Sequence, residues 1–552
     1  MPRMAAHDRK RLTAFVCLFC LCGCLTNPGF SPVGGGNVLS PGRIGYSGSL
    51  PYESSGVTSV PVSNPLVSNG GLNSTGEFSS RNDLVPNSTP DQNGPQNLPR
   101  NTISSPDLGH IYGRTAQTDD RDRNPVIVIP GVLGSRLVDN VTRRVVWGEF
   151  GGDGIDPSSM DGAQLIALPM SEGRSLDTLK DRVKTAGTLD AFDVRIFGFP
   201  FQINAYRDLL SALGVGGYRD DQTNLADFNY GEQSYSSFQF AYDWRRDNVE
   251  NARLLHKFIL EKKAYVEAER QKRYGNDFEP VRFDIVAHSM GGLIARYYLE
   301  YGEADLPADG STPTPTWSGA RNVDHVIMVA TPNAGSLDAI QNLVQGETLS
   351  RFLPRYEAAI LGTMPALYQL LPRSRQRPVI AEGDRNAVDH MDPRVWAQFR
   401  WGLMDPRQQA VLQYLLPDVP DPNVRQKIAY EHLTKCLDRA RAFHAALDVP
   451  AKPPEGTTIH LIAGDAHPTT TQFRVDNRGV LTVSARQPGD GRVSRPSALM
   501  DERFSAGVKW SPRLVTPITW SSVNFLFADH LGLTRDPGFT DNILYLLLES
   551  PR

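Results

Sequence analysis

Cysteine is scarce in the body of this chain. Of five cysteines in 552 residues, Cys17, Cys20, Cys22 and Cys24 crowd one N-terminal apolar stretch, and only Cys436 lies elsewhere. That placement excludes a disulfide framework and a Cys-x-x-Cys metal site in the body. An excess of one charge is also missing: 57 Lys and Arg stand against 61 Asp and Glu, a net of −4, with no basic stripe. Such a balance argues against nucleic acid as a partner. Membrane-length hydrophobic runs are lacking too, since the apolar run Leu12 to Cys22 is too short to span a bilayer comfortably. Internal repeats and heptads are absent. The length allows one large buried core plus a substantial excursion.

The N-terminus reads as an export signal. Arg3, Arg9, Lys10 and Arg11 form a positive region, Leu12 to Cys22 an apolar one, and the chain turns polar after Cys24. Leu21-Cys22-Gly23-Cys24 looks like a bacterial lipobox, which implies a signal peptide over 1–23 and lipid attachment to Cys24. An anchor of two or three acyl chains holds firmly, at roughly 0.8 kcal/mol per buried methylene. An ordinary secreted precursor is the alternative. Leu25, rather than Asp, after the cysteine fits outer-membrane sorting in a Gram-negative cell. Residues 24–124 are dominated by Gly, Pro, Ser and Asn. Without periodicity they cannot bury enough apolar surface to offset chain entropy, so they read as a disordered tether.

Order is expected from Pro125. Val126 to Ile129, Ser237 to Tyr242, Phe283 to Ala287, Val323 to Val329 and Thr458 to Ala463 are short apolar runs, the mark of strands buried on both faces. Helical spacing over 251–274 and 540–548 alternates with them, which predicts an α/β fold with a mostly parallel central sheet. Residues 125–336 form the first part of this core and 450–552 the second. Between them, 337–449 reads as an inserted helical cap, with helical patterns at 364–371, 395–403 and 424–447 and no buried strand.

The most informative stretch is Ala287-His288-Ser289-Met290-Gly291, between an apolar run and the amphipathic pattern Gly291 to Leu299. It has the form G-x-S-x-G with Ala in first place, a strand–turn–helix elbow that lifts one hydroxyl clear of a sheet. Small residues are required because neighbouring backbone crowds the turn. On its own the pattern is as compatible with a surface serine in a Gly-rich turn.

A serine hydroxyl needs a base, and the base an acidic partner. In a fold of this kind they follow in the order serine, acid, histidine. Among eleven histidines only His530 lies C-terminal to Asp490, in a loop before the last helical pattern. Two acids are candidates: Asp490, between Gly489 and Gly491, is favoured because glycines let a carboxylate project from a tight loop, and Asp465 is the alternative. His288 reads as a structural neighbour of the serine. The oxyanion of acyl transfer needs backbone donors. Met290 N–H supplies one, and Val132 in the turn Pro130-Gly131-Val132-Leu133-Gly134 the other. No Lys-Ser/Thr pair follows that turn, which argues against a phosphate loop.

Here the motifs reach a family. Pro125 to Leu137, Phe240-Ala241-Tyr242-Asp243-Trp244-Arg245, Ala287 to Gly292, Ala330-Thr331-Pro332-Asn333-Ala334-Gly335-Ser336, Gly489-Asp490-Gly491-Arg492-Val493 and His530 together resemble the lecithin:cholesterol acyltransferase family, in order and over most of the chain after 124. The resemblance implies an α/β-hydrolase that moves acyl groups of ester lipids to water or an alcohol, with no metal or organic cofactor. It implies that Ser289 attacks, His530 carries the proton, Asp490 orients His530, and Val132 and Met290 hold the oxyanion, while Tyr242, Asp243 and Trp244 support the loops. Departures from the family pattern are Ala287 for glycine at the elbow and the lack of cysteines for a lid disulfide. The cap aromatics Trp396, Phe399 and Trp401, with Leu403, read as cap core or as an acyl pocket. The remaining alternatives are an esterase or amidase on a non-lipid substrate, and an inactive lipid-binding lipoprotein.

Overall fold

The computed structural model describes residues 108–117, 121, 123–150, 154–189, 191–196, 199–204, 206–222, 234–348, 354–383 and 386–550. The expected signal peptide, Cys24 and the tether up to residue 107 lie outside the described residues.

Six strands form the central sheet: β1 (Val126–Ile129), β2 (Ser237–Gln239), β3 (Phe283–His288), β4 (Val323–Val329), β5 (Thr458–Gly464) and β6 (Ser522–Leu526). Their spatial order is β6-β5-β4-β3-β1-β2, and every neighbouring pair is parallel. The side chains of β1 and β3 are buried throughout. Strand alternation explains why apolar runs were needed rather than an apolar–polar pattern. Ile127, Ile129, Ile285, Ala287, Val326, Met328 and Leu461 enter one core, whereas Val126, Val128, Val286, Ile327, Val329 and Ile462 enter another on the opposite face.

The second core is closed by helices α1 (Leu108–Gln117), α2 (Arg207–Val215) and, at the C-terminus, α7 (Pro537–Leu548). The first is closed by α3 (Asn248–Tyr274), α4 (Met290–Tyr301) and much of the chain after α5 (Leu337–Gln345), including α6 (Pro422–Leu447). Helix α4 is buried along its whole length, as a helix filling a sheet-to-cap seam must be.

Two expectations need correction. The stretch read as the end of a disordered tether contains α1, whose Leu108, Tyr112 and Ala116 recur every four residues; Tyr112 and Ala116 are buried, and the Tyr112 hydroxyl meets Asp541 at 2.8 Å. Three side chains in a Gly- and Ser-rich window are too few to register as a period, yet they suffice once α2 and α7 supply a surface. The segment 337–449 also holds a strand, Val379–Ala381, buried at its first two residues and parallel to His467–Val475. Its three residues are shorter than any periodicity can detect, and its partner lies nearly a hundred residues on. The expected helices of that segment are present as Pro365–Gln369, Pro393–Phe399 and α6.

Candidate active site

Strand β3 delivers the serine. Its last residue is His288, α4 begins at Met290, and Ser289 between them takes φ 52° and ψ −123°. For a residue with a Cβ this conformation is strained, and it persists only where its surroundings over-determine it. They do so here by contact. The Ser289 N–H donates to Val329 O at 2.8 Å. A Cβ on Gly291 would stand 2.4 Å from Pro130 O, and one on Gly292 only 1.9 Å from the Thr331 hydroxyl oxygen. The two glycines of the motif therefore let β1, β4 and α4 close on the turn. Ala287, completely buried, carries its extra methyl without displacing β3.

The structure brings Ser289, His530 and Asp490 into one hydrogen-bonded line, although the histidine is 241 residues from the serine and 40 from the acid. His530 Nε2 lies 3.1 Å from Ser289 Oγ, and its Nδ1 lies 2.8 Å from Asp490 Oδ2. The acid's other oxygen, Oδ1, accepts from the N–H groups of Arg492 (2.9 Å) and Val493 (2.6 Å). Burial alone raises a carboxyl pKa. For Asp490 the charge and hydrogen bond of His530, together with those two backbone donors, outweigh it and hold the group below its ordinary value. A carboxylate kept ionised on Nδ1 fixes the tautomer that leaves Nε2 facing the hydroxyl. Asp465 is occupied elsewhere, with Arg495 at 2.8 Å.

The turn after β1 abuts the serine, since a Cβ on Gly131 would meet Ser289 Cβ at 2.8 Å. Leu133 there adopts φ 66°, and Gly134 N–H closes the turn on Gly131 O at 3.1 Å. The Tyr-Asp-Trp-Arg signature holds this turn from behind. The Tyr242 hydroxyl donates to Pro130 O at 2.9 Å, Tyr242 N–H to Ser135 Oγ at 3.1 Å, and Trp244 Nε1 to Ser135 O at 3.3 Å. Buried Arg245 pairs with Asp243 and Asp181 and donates to Leu165 O and Ile166 O. Among the described residues, no acceptor meets the N–H of Val132 or of Met290, the second being one of the free donors at the start of α4.

His288 points away from Ser289 Oγ. Its Nε2 lies 3.1 Å from His530 O and its Nδ1 3.1 Å from the Tyr206 hydroxyl. Burial, reinforced by the neighbouring His530, pushes its pKa down to about 3. Sequence reasoning missed Tyr206 altogether, because a single tyrosine outside any motif carries no signal. It also missed Thr469, whose hydroxyl accepts from Gly491 N–H at 2.9 Å; Ser336, the end of the Ala330 to Ser336 motif, donates to Arg492 O at 2.8 Å. The cap aromatics resolve as core: Trp396 and Trp401 are buried edge to face and donate to His390 O and Gly479 O.

An all-parallel sheet carrying a strained serine elbow after its third strand, with acid and histidine on later loops, is the architecture of an α/β-hydrolase. The family model described as Lecithin:cholesterol acyltransferase matches residues 200–402. That stretch holds the Tyr-Asp-Trp-Arg signature, the elbow and the Thr331 to Ser336 loop, and over it the chain is similar to the lecithin:cholesterol acyltransferase family. Asp490, His530 and the turn at Val132 fall outside the matched residues, and the geometry above is what joins them to it. No curated protein matches by sequence. Among solved structures, the chain is similar to the Tle4–Tli4 complex (17% identity, TM-score 0.46, covering 77% of this chain and 98% of that one). It is also similar to lipase 1 from Pelosinus fermentans (13% identity, TM-score 0.33, covering 78% and 100%). A third likeness is to phospholipase PlaB from Legionella pneumophila (13% identity, TM-score 0.27, covering 59% and 54%).

Proposed function

We propose that this protein is a serine acylhydrolase or O-acyltransferase acting on ester lipids, with Ser289, His530 and Asp490 as its catalytic residues. The observation that carries the reading is the unbroken line from Ser289 Oγ through His530 to Asp490. His530 Nε2 takes the hydroxyl proton as Ser289 Oγ bonds to the acyl carbonyl carbon, while Asp490 steadies the imidazolium through Nδ1. The negative charge moves to the carbonyl oxygen, where the N–H groups of Val132 and Met290 receive it; each such donor lowers the barrier by ~2.7–4 kcal/mol. When the tetrahedral species collapses, the ester C–O bond breaks and His530 returns the proton to the leaving alcohol. Water or an acceptor alcohol then repeats the sequence on the acyl-serine. The chemistry needs no metal or organic cofactor.

The family match supports ester lipid as the substrate class. The lipobox-like Leu21-Cys22-Gly23-Cys24 supports export and anchoring through Cys24 at a bacterial envelope membrane. Fluorophosphonate labelling tests the nucleophile: wild type is labelled, and Ser289→Ala is not. A screen of phospholipid, triglyceride and p-nitrophenyl esters, with and without alcohol or sterol acceptors, tests the substrate. Turnover of soluble esters with no lipid ester consumed would move the protein to a general esterase.

A further inference from the structure

A second polar chain runs through the site beside the catalytic one. The Gly131 N–H donates to the Tyr206 hydroxyl oxygen at 2.7 Å, that hydroxyl meets His288 Nδ1 at 3.1 Å, and His288 Nε2 meets His530 O at 3.1 Å. Only one arrangement of protons satisfies all four groups. A carbonyl oxygen can only accept, so His288 Nε2 carries the hydrogen; the neutral ring then leaves Nδ1 bare, and Tyr206 must donate to it. Burial keeps the ring neutral and so keeps the arrangement unique. Both side chains are sealed from water, Tyr206 at 4% exposure and His288 at 3%. Each end of the chain grips a piece of the site. Gly131 begins the turn that presents the Val132 N–H, and His530 supplies the base. The backbone of His530 is thereby held on both sides, its N–H by Asp490 O at 3.0 Å and its carbonyl by His288.

We propose that Tyr206 and His288 are positioning residues that lock the oxyanion turn and the loop of the base to the strand bearing the nucleophile. This rests on the assignment of Ser289, His530 and Asp490 above. Neither residue touches a reacting atom. Their effect is to hold the Val132 N–H and the His530 imidazole, delivered by segments some 400 residues apart, in one geometry with Ser289; a displacement of about 1 Å in such a site costs about a hundredfold in rate.

The test is steady-state turnover of a soluble p-nitrophenyl ester by the full chain, normalised to active sites titrated with a fluorophosphonate. Tyr206→Phe removes the acceptor of Gly131 N–H and the donor to His288. His288→Leu removes both the acceptor of the Tyr206 hydroxyl and the N–H that holds His530 O. Each is expected to lower kcat per titrated site about 10- to 100-fold, with KM changed less than threefold. The double variant should be no slower than the worse single one, because either substitution already breaks the chain. A merely structural role would lower the number of titratable sites and leave kcat per site intact, and that result overturns the proposal, as does a kcat per site within twofold of wild type in both single variants. Ser289→Ala is run in parallel. If it still turns over ester, the catalytic assignment itself fails, an outcome distinguishable from failure of the positioning chain.

Discussion

His530, at the carboxyl edge of the central sheet, and the buried histidines of the helical excursion 337–449 are held in opposite ways. At the sheet edge His530 stays partly exposed, and among the described residues its ring hydrogen-bonds to the Ser289 and Asp490 side chains, the arrangement on which its proposed role as proton carrier rests. In the excursion His390, His432 and His444 are buried, and each bonds through Nε2 to a backbone carbonyl, of Pro372, Thr363 and Gln369. There a histidine is a neutral cross-link between helices and loops. Backbone strain does not follow that division: Ser289 and Ala330 take positive φ at the sheet edge, and Arg377 and Arg400 do so within the excursion. The contrast teaches that the residue type alone does not mark a candidate catalytic group; exposure and side-chain partners on both ring nitrogens do.

The sharpest way to break the contrast is at its catalytic side. Asp490→Asn is expected to lower kcat about 10⁴-fold without unfolding the protein, because the amide no longer fixes the tautomer of His530. Ester turnover by folded variant, checked by circular dichroism, decides it. A loss below tenfold would show that the line from Ser289 to Asp490 is not what drives turnover.

On the excursion side, Trp396→Ala removes a fully buried indole and its bond to His390 O, and should cost about 3–5 kcal/mol in urea unfolding. The kcat per titrated site should stay within a few fold. A selective change in KM for long-chain esters, with stability intact, would return these aromatics to the role of acyl pocket.

A smaller effect separates the histidines by pH. Burial brings His432 down to about 4, so between pH 6.5 and 4 the unfolded chain binds a proton that the folded one refuses. Stability from this residue is complete above its unfolded pKa and declines as pH falls, by up to about 1.4 kcal/mol per unit. His432→Gln, which keeps an N–H for Thr363 O, should therefore gain on wild type by that slope on acidification and show no slope above pH 7. Parallel stability curves across the whole range would contradict the neutral cross-link. Smallest of all is Asp465→Asn. It removes one half-exposed ion pair with Arg495, worth roughly 0–1 kcal/mol, and should leave kcat within twofold.

Much of the fold was legible because parallel strands buried on both faces must be continuously apolar. Val323–Val329 lies where its run of valine, isoleucine and methionine placed it, and Phe283–His288 extends the expected strand by one residue. Strand Val379–Ala381 and helix α1 were illegible, since each is stabilised by a partner remote in sequence rather than by its own pattern. The site divides likewise. The elbow announces itself within ten residues. Asp490 and Asp465 both sit beside glycine in loops, and spacing could not separate them; the structure does so by giving one to His530 and the other to Arg495.

What the chain determined locally, then, is a serine at a crowded strand–helix turn, with candidate acid and base downstream, because small residues and apolar runs report on their immediate neighbours. Which acid faces the imidazole, where His288 directs its two nitrogens, and that Tyr206 takes part were decided by tertiary structure alone. Those outcomes depend on hydrogen-bond directions between segments tens to hundreds of residues apart, and packing, not spacing, sets such directions.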